Sequence, residues 1–346
     1  MNTVMNFSHP GMIENVGFCY ESVDKSCPKI TYATAVRIVL YMFFLAVIVL
    51  TICGNLLIII AVSYFKQLHT PTNYLILSLA VADLLVGGIV MPPSMVRSIE
   101  TCWYFGDFFC KFHTSVDISL CSVSIVSLCI ISVDRYYAIC QPLHYQRKIT
   151  VSVTVALILV SWNLSIVIGF GIIFTELNIQ GVEDYYYNNI YCVGGCFLFQ
   201  TEGATTAACI LSFYLPGITM LSIYHKIFRV AKKQARSINA IACQTVHSEA
   251  RINNMERKAT KTLAIVMGVF LTCWMPFFVC NLLDPIINNS IPPVLYDTLG
   301  WIGYLNSAFN PIVYAFFYSW YRKAFKMIIL GKLFQADSSN TKLSSD

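Results

Sequence analysis

The chain has 346 residues, of which 57% are hydrophobic and only 12% are charged, and its net charge is +5. Soluble domains average about 25% charged residues, so this composition excludes an ordinary water-soluble protein. The small positive net charge gives no reason to expect a nucleic-acid partner.

Seven apolar stretches follow one another, and each is long enough to cross a hydrocarbon core of about 30 Å. Runs of this length without alternation indicate helices, because lipid admits only helices and closed barrels. We predict an all-α membrane protein, a seven-transmembrane helix bundle spanning 36–318, with an N-terminal segment 1–35 and an amphipathic helix and tail at 319–346. The predicted spans are 36–63, 72–98, 107–140, 150–174, 200–235, 254–285 and 292–318.

Basic residues lie mostly on one side of this predicted bundle. Of the 23 Lys and Arg residues, all but Lys25, Lys29, Arg37, Arg97 and Lys111 share a side with the segment after the seventh helix. The positive-inside rule therefore predicts an extracellular N-terminus and a cytoplasmic C-terminus. Alternatively, the basic residues between 228 and 261 merely anchor helix ends.

The extracellular side should carry covalent modifications. Asn6 begins the sequon Asn6-Phe7-Ser8 and is a candidate glycosylation site. An even number of cysteines in an oxidising compartment predicts three disulfides, but six cysteines allow 15 pairings. The six cysteines predicted outside, among 14 in all, are Cys19, Cys27, Cys102, Cys110, Cys192 and Cys196.

A small set of polar residues falls within the predicted spans. Asn55, Ser124, Asn306 and Asn310 could form one polar pocket around the buried carboxylate of Asp83, and Asn306 and Asn310 share a helix face. Hard oxygen ligands suit a small cation, which would relieve the charge. A hydrogen-bonded water cluster between helices is the alternative.

Two aspartates lie on the third predicted helix, Asp117 near its outer end and Asp134 near its inner end. They are 17 residues apart, roughly 25 Å along the axis, and cannot share one site. Carboxylates in a membrane are usually functional. Asp117 is therefore a candidate partner for an extracellular amine. The alternative is a structural pair with another helix, yet no predicted span offers a basic residue at a matching depth.

An aromatic face on the sixth predicted helix adds to this hypothesis. Phe270, Trp274, Phe277 and Phe278 share one face, and Pro276 is expected to kink the helix there. Such a face is often simply core. At the depth of Asp117 it could also enclose an ammonium through cation–π attraction.

These motifs together resemble a rhodopsin-type G-protein-coupled receptor. The features in order are Asn55, "LAVAD" with Asp83, Cys110, "DRY" at Asp134–Tyr136, Trp162, Pro216 with Tyr224, "CWMP" at Cys273–Pro276 and "NPIVY" at Asn310–Tyr314. Asp117 with the nearby aromatics resembles the aminergic branch. Segments such as "YFKQLHTPTN", "CWYFGDFFCKFHTSVD" and "DSSNTKL" are similar to the trace amine-associated receptors. The helix 7 signature departs only at Tyr321, where the family normally has Phe.

The resemblance implies disulfides Cys110–Cys196, Cys19–Cys192 and Cys27–Cys102. It implies an inner lock between Arg135 and Glu256 that holds the resting state. The further switch residues it implies are Asp134, Tyr136, Tyr224, Asn310, Pro311 and Tyr314. It also implies an allosteric sodium ion at Asp83, Ser124, Asn306 and Asn310, with no required cofactor.

By the same resemblance, the chain would bind a trace or volatile monoamine at the plasma membrane, among membrane lipids, and activate a heterotrimeric G protein of the stimulatory (Gs) or olfactory type to raise cAMP. Olfaction is then one expected role, and a serotonin-type biogenic amine is the alternative ligand. The expected ligand-binding residues are Asp117, Ile118, Cys121, Ser212, Trp274, Phe277, Phe278, Trp301 and Tyr304.

Two rival classes are less consistent with the sequence. A channel or transporter predicts inverted repeats or Gly-interrupted helix pairs, and neither is evident. A membrane enzyme predicts a catalytic motif, and the sequence contains no HExxH, GxSxG or Ser/His/Asp set. We therefore predict that the protein is not an enzyme.

Overall fold

The computed structural model describes residues 13–241, 247–284, 286–287, 290–317 and 319–331. In these ranges, seven long helices form a bundle that is preceded by a β-hairpin and followed by a short helix. The predicted sequon at Asn6 lies outside the described residues. The seven-helix architecture predicted from hydropathy is confirmed.

The hairpin consists of β1 (Ile13–Phe18) and β2 (Pro28–Tyr32), paired antiparallel. The long helices are α1 (Thr34–Tyr64), α2 (Pro71–Glu100, with a π-helical turn at Val86–Val90), α3 (Asp107–Cys140), α4 (Val151–Phe174), α5 (Glu202–Cys209, a π-helical turn at Ile210–Tyr214, and Leu215–Ile241), α6 (His247–Leu283) and α7 (Pro293–Phe317); the short helix α8 is Ser319–Ile329.

Six of these helices are long and apolar enough to cross a membrane, judged by length and composition over the described residues. The remaining long helix, α7, has 25 residues but carries Asp297, Asn306 and Asn310. These polar side chains lower its hydropathy while serving the interior of the bundle.

Helix α5 was predicted to end at 235 and helix α6 to begin at 254, and both helices extend beyond these bounds. In the structure α5 continues to Ile241 and α6 begins at His247. Hydropathy reports only the lipid-crossing part of a helix, whereas each of these more polar extensions includes Ala and Arg, which favour helix in water.

Threonine side chains cap the starts of three spanning helices. Thr70, Thr150 and Thr201 each accept a hydrogen bond from the backbone N–H three residues on, at 3.3, 3.3 and 3.4 Å. Each cap satisfies a backbone donor that the first helical turn leaves unpaired. Pro71 follows the first of these caps at a position where proline is favourable.

The buried side chains form an inner and an outer cluster. The inner cluster includes Leu128, Phe270 and Tyr314, whereas the outer cluster includes Trp301 and Tyr304. Trp274 packs against both clusters. This single side chain therefore connects the extracellular and cytoplasmic halves of the bundle.

The helix α8 is amphipathic, as predicted. Ala324 is fully buried and Tyr321 nearly so, whereas Arg322 and Lys326 are exposed. The buried face packs against the inner end of α1, where Phe65 is fully buried. This helix therefore lies against the cytoplasmic end of the bundle.

Three disulfides link the extracellular segments, and two of them differ from the predicted pairing. Cys110 pairs with Cys196 as expected. The hairpin instead forms Cys19–Cys102 and Cys27–Cys192, so the predicted Cys19–Cys192 and Cys27–Cys102 pairs are wrong.

The reason for this pairing is a backbone contact between segments remote in sequence. The N–H of Cys27 donates to the carbonyl of Val193 and the N–H of Val193 donates to the carbonyl of Lys25, both at 2.9 Å. This bridge places the Cα of Cys27 5.0 Å from that of Cys192, within disulfide range. Cys19 is left to face Cys102, with a Cα–Cα distance of 5.8 Å.

Peptide mapping of the purified, non-reduced protein should recover cross-linked peptides containing Cys19–Cys102 and Cys27–Cys192. We expect this result because each half-cystine already faces its partner. The Cys110–Cys196 peptide serves as the internal control for intact oxidation. Recovery of a Cys19–Cys192 peptide as the main species would contradict the observed pairing.

Candidate functional site: a carboxylate with an aromatic wall

Asp117 lies in the outer half of α3 and is half-buried. Its Oδ2 accepts a hydrogen bond from the Tyr304 hydroxyl at 2.7 Å, and the Cys121 Sγ lies 3.5 Å from its Oδ1. Among the residues that the structure describes, no Lys, Arg or His lies within ion-pair distance of this carboxylate. Its partners are neutral, so its charge is available to a cationic ligand.

Aromatic rings of α6 and α7 form a connected group that reaches this carboxylate through Tyr304. Tyr304, the partner of Asp117, meets Trp274 edge-on at 6.3 Å between ring centroids and Trp301 at 5.6 Å. Trp274 in turn contacts Phe277 at 5.9 Å and Phe278 at 6.1 Å. The structure thus brings the predicted aromatic residues together in one group that contacts Asp117 through Tyr304. We call this group the aromatic wall: Trp274, Phe277, Phe278, Trp301 and Tyr304.

Trp301 has a second set of contacts that the sequence did not indicate. Its indole N–H donates to the Ser98 hydroxyl at 2.9 Å, and its ring stacks on Phe44 at 4.0 Å. Trp301 therefore ties α7 to α1 and α2 while its edge meets Tyr304.

The other predicted ligand-binding residues lie on α3 and α5. Ile118 is half-buried next to Asp117. Ser212 lies in the π-helical turn of α5 and donates its hydroxyl to the Ala208 carbonyl at 2.5 Å. Its neighbour Phe213, which the prediction missed, stacks on Phe278 at 4.5 Å. The side of α5 nearest the aromatic wall is thus mainly apolar.

The packing of Trp274 against α7 depends on a glycine at position 303. A Cβ added at Gly303 would lie 2.7 Å from the Trp274 ring, well inside ordinary contact distance. Only the absence of a side chain at Gly303 lets the indole pack directly on α7.

A second buried carboxylate, Asp83, lies deeper in the bundle and is fully buried. It accepts hydrogen bonds from the Ser307 hydroxyl and the Asn310 amide, both at 2.7 Å, and Ser124 is a further partner. Within the described residues, the Oδ1 atoms of Asn306 and Asn310 are buried without a donor. As hard ligands without a donor, these oxygens are chemically suited to the predicted cation. Ser307 was absent from the predicted set, although it shares a helix face with Asn310.

Asp134 and Arg135, at the cytoplasmic end of α3, bind one another. The Arg135 Nε donates to Asp134 Oδ2 at 2.8 Å. Asp134 also accepts from the hydroxyls of Thr72 and Tyr145, each at 2.9 Å. Thr72 and Tyr145 were not predicted. The side chain of Glu256 lies outside the described part of the chain, so the Arg135–Glu256 lock stays a prediction.

The remaining predicted switch residues lie along the inner half of the bundle. Tyr224 of α5 is a hydrogen-bond partner of Ser132, and Tyr136 is half-buried next to Arg135. Tyr314 is almost fully buried in the inner cluster. Pro311 packs closely on α1, since a Cβ at Gly54 would lie only 2.8 Å from it.

The seven-helix bundle, the disulfide from α3 to the loop after α4 and the buried polar residues together define a class of membrane protein. The family described as "7 transmembrane receptor (rhodopsin family)" matches residues 54–314. The chain is therefore a rhodopsin-family receptor, a multi-pass protein of the plasma membrane and not an enzyme. This finding also excludes the channel and transporter hypotheses.

Sequence comparisons narrow the class. "Trace amine-associated receptor 1" of Macaca mulatta is 53% identical over 94% of this chain and 98% of the relative. "Trace amine-associated receptor 4" of Mus musculus is 47% identical over 98% and 99%, and "Trace amine-associated receptor 9" of Homo sapiens is 47% identical over 99% and 98%. The chain belongs to the trace amine-associated receptor family.

Proposed function

We propose that this receptor binds a small trace or volatile monoamine, holds the ammonium at Asp117, and activates a stimulatory or olfactory-type G protein that raises cAMP. The observation that carries the proposal is a half-buried carboxylate with neutral partners beside an aromatic wall. The names of the relatives, which refer to trace amines, support the ligand class.

The site offers an ammonium two kinds of attraction. A charge-assisted hydrogen bond to Asp117 is stronger than a neutral one, and low dielectric strengthens it further. The rings of Trp274 and Tyr304 add cation–π attraction. Tyr304 can keep its own hydrogen bond to Oδ2, because a carboxylate has room for several donors.

The apolar side of α5 favours a monoamine with a weakly polar tail. Ser212 already donates its proton to a carbonyl of its own helix. Ala208 and Cys209 offer no hydroxyl. A catecholamine, a serotonin-type ligand or a diamine would leave its second polar group without a strong partner, and buried polar groups without partners are costly.

Ligand binding would reach the cytoplasmic side through Trp274. This side chain lies beside the ligand site and packs on both halves of the bundle. An amine that binds more tightly to an arrangement with α6 moved outward shifts the population toward it. The change would open the cytoplasmic end near Arg135, where the G protein would dock.

The proposal is tested by measuring cAMP in cells that express the receptor, with a panel of paired compounds. Each volatile monoamine is matched to a neutral compound of the same carbon skeleton, for example benzylamine and benzyl alcohol. We expect responses to amines and none to their neutral partners, because Asp117 selects for charge. Equal responses to both partners, or none to any amine at normal surface expression, would overturn the proposal.

We further propose that sodium binds at Asp83 and opposes activation. The ion would be held by Asp83 together with Ser124 and the unpaired oxygens of Asn306 and Asn310. It would link α2 and α3 to α7 and stabilise the observed packing.

Replacing KCl by NaCl at constant ionic strength should lower the affinity of wild-type receptor for an amine by roughly five-fold or more, the usual scale of allosteric coupling. The Asp83→Asn variant should lose this sodium dependence, since the amide keeps the size of the side chain but removes its charge. Radioligand competition in membranes measures both effects. An unchanged sodium response in Asp83→Asn would rule the site out.

A further inference from the structure

A separate cavity of about 220 Å³ lies outside the bundle core, between the outer end of α3, the end of α4 and the loop that follows it. Three residues of one face of α3, Asp107, Lys111 and Thr114, form one wall. Glu176 and a group of tyrosines also line the cavity. Asp117 does not line this cavity.

The charged groups of this cavity do not balance. The Lys111 ammonium pairs with Glu176 at 2.7 Å, which neutralises both. Asp107 accepts a hydrogen bond from the Tyr191 hydroxyl at 2.6 Å, and within the described chain it has no Lys, Arg or His at ion-pair distance. The lining therefore carries one net negative charge.

The protonation states support this charge count. The hydrogen bond from Lys111 lowers the pKa of Glu176, so this carboxyl stays ionised. The hydrogen bond to Asp107 raises the pKa of Tyr191 to about 12, so the phenol stays a neutral donor. Within the described residues, Asp107 is thus the acidic group of the lining that has no basic partner.

Aromatic rings surround the cavity beside this carboxylate. Tyr186 contacts Tyr187 at 5.2 Å, Phe199 at 5.5 Å and Tyr191 at 6.3 Å between ring centroids. Tyr187 also contacts Tyr191 at 5.9 Å. A carboxylate next to clustered aromatic rings is the arrangement that recognises ammonium groups.

We infer that this loop cavity is a second binding site for a small monoamine, with the ammonium at Asp107 and the tail against the tyrosines. Ten residues separate Asp107 from Asp117, so the second site lies roughly 15 Å outward along α3. The inference rests on the proposed function only for its choice of a monoamine as ligand.

The test uses purified full-length receptor in lipid nanodiscs, with benzylamine as the probe and saturation-transfer-difference NMR as the readout. Asp117→Ala removes the inner site, so any saturable binding that remains reports on the cavity. We expect this binding to persist and to weaken about ten-fold or more when Asp107→Asn is added, the scale for losing a charged hydrogen bond.

Asp184→Asn is the matched control, because Asp184 is an exposed aspartate of the same loop that does not line the cavity. It should leave binding unchanged. The inference is overturned if the Asp117→Ala receptor shows no saturable binding, or if binding is the same with and without Asp107. The Asp107→Asn and Asp117→Ala variants, measured singly, report on the cavity and on the inner site respectively, so failure of one site can be told from failure of the other.

A second variant separates the charge of Asp107 from its role in ordering the loop. Tyr191→Phe keeps the ring but removes the hydroxyl that donates to Asp107. If the carboxylate binds the ammonium, this variant should bind benzylamine at least as tightly as its parent. A loss as large as that of Asp107→Asn would mean that the hydrogen bond orders the loop, and would overturn the inference.

Discussion

Asp117→Ala is expected to lower the potency of every active monoamine by about 100-fold or more. In the proposed binding mode the variant removes the carboxylate that pairs with the ammonium, and a charged hydrogen bond in a desolvated site contributes about 3 kcal/mol. Concentration–response curves for cAMP, normalised to surface receptor, measure the effect. Surface expression should persist, because the described hydrogen bonds of Asp117 go to two neutral side chains, Tyr304 and Cys121.

Two companion variants show whether charge is responsible. Asp117→Asn keeps the size of the side chain and should lose nearly as much potency as Asp117→Ala. Tyr304→Phe removes the hydroxyl on Oδ2 but leaves the carboxylate, so we expect a loss of roughly ten-fold or less. If Tyr304→Phe is as severe as Asp117→Ala, the hydroxyl rather than the charge determines binding. Full potency in Asp117→Asn would place the ammonium elsewhere.

Gly303→Ala is expected to reduce amine potency by roughly ten-fold, because it overpacks the contact between α7 and Trp274. The new methyl group would lie 2.7 to 2.8 Å from three atoms of the Trp274 ring. The indole cannot move away freely, since Phe277, Phe278 and Tyr304 flank it. The displaced ring would alter both the aromatic wall and the packing of Trp274 between the inner and outer core clusters.

Gly300→Ala is the matched control on the same helix. A Cβ at Gly300 meets nothing within 4 Å, so this variant gains the same helix propensity without a clash. Its potency should stay within about two-fold of wild type. Equal losses in the two variants would attribute the effect to the flexibility of α7 rather than to Trp274.

Local patterns in the sequence predicted much of this molecule. The length of each apolar run predicts a spanning helix regardless of what packs against it, so the seven helices were predictable. Asp117 was identified because a carboxylate is costly in a membrane and no basic residue of another span matches its depth. The aromatic face of α6 followed from helical spacing alone.

Contacts between distant segments were not predictable in this way. The pairing of Cys27 depends on a backbone bridge to Val193, which no local pattern encodes. Thr72 and Tyr145 reach Asp134 from other parts of the chain, and hydroxyls of this kind are too common to single out. Phe213 was passed over because its contact with Phe278 depends on how α5 and α6 pack.

The hairpin disulfide between Cys27 and Cys192 imposes an order on biosynthesis. Its two halves are 165 residues apart, and α1 to α4 lie between them. At about 5–20 residues per second, Cys27 reaches the oxidising lumen on the order of ten seconds before its partner is made. Cys27 therefore cannot form its native disulfide until the first four helices have been made, so its oxidation state reports how far the bundle has been assembled.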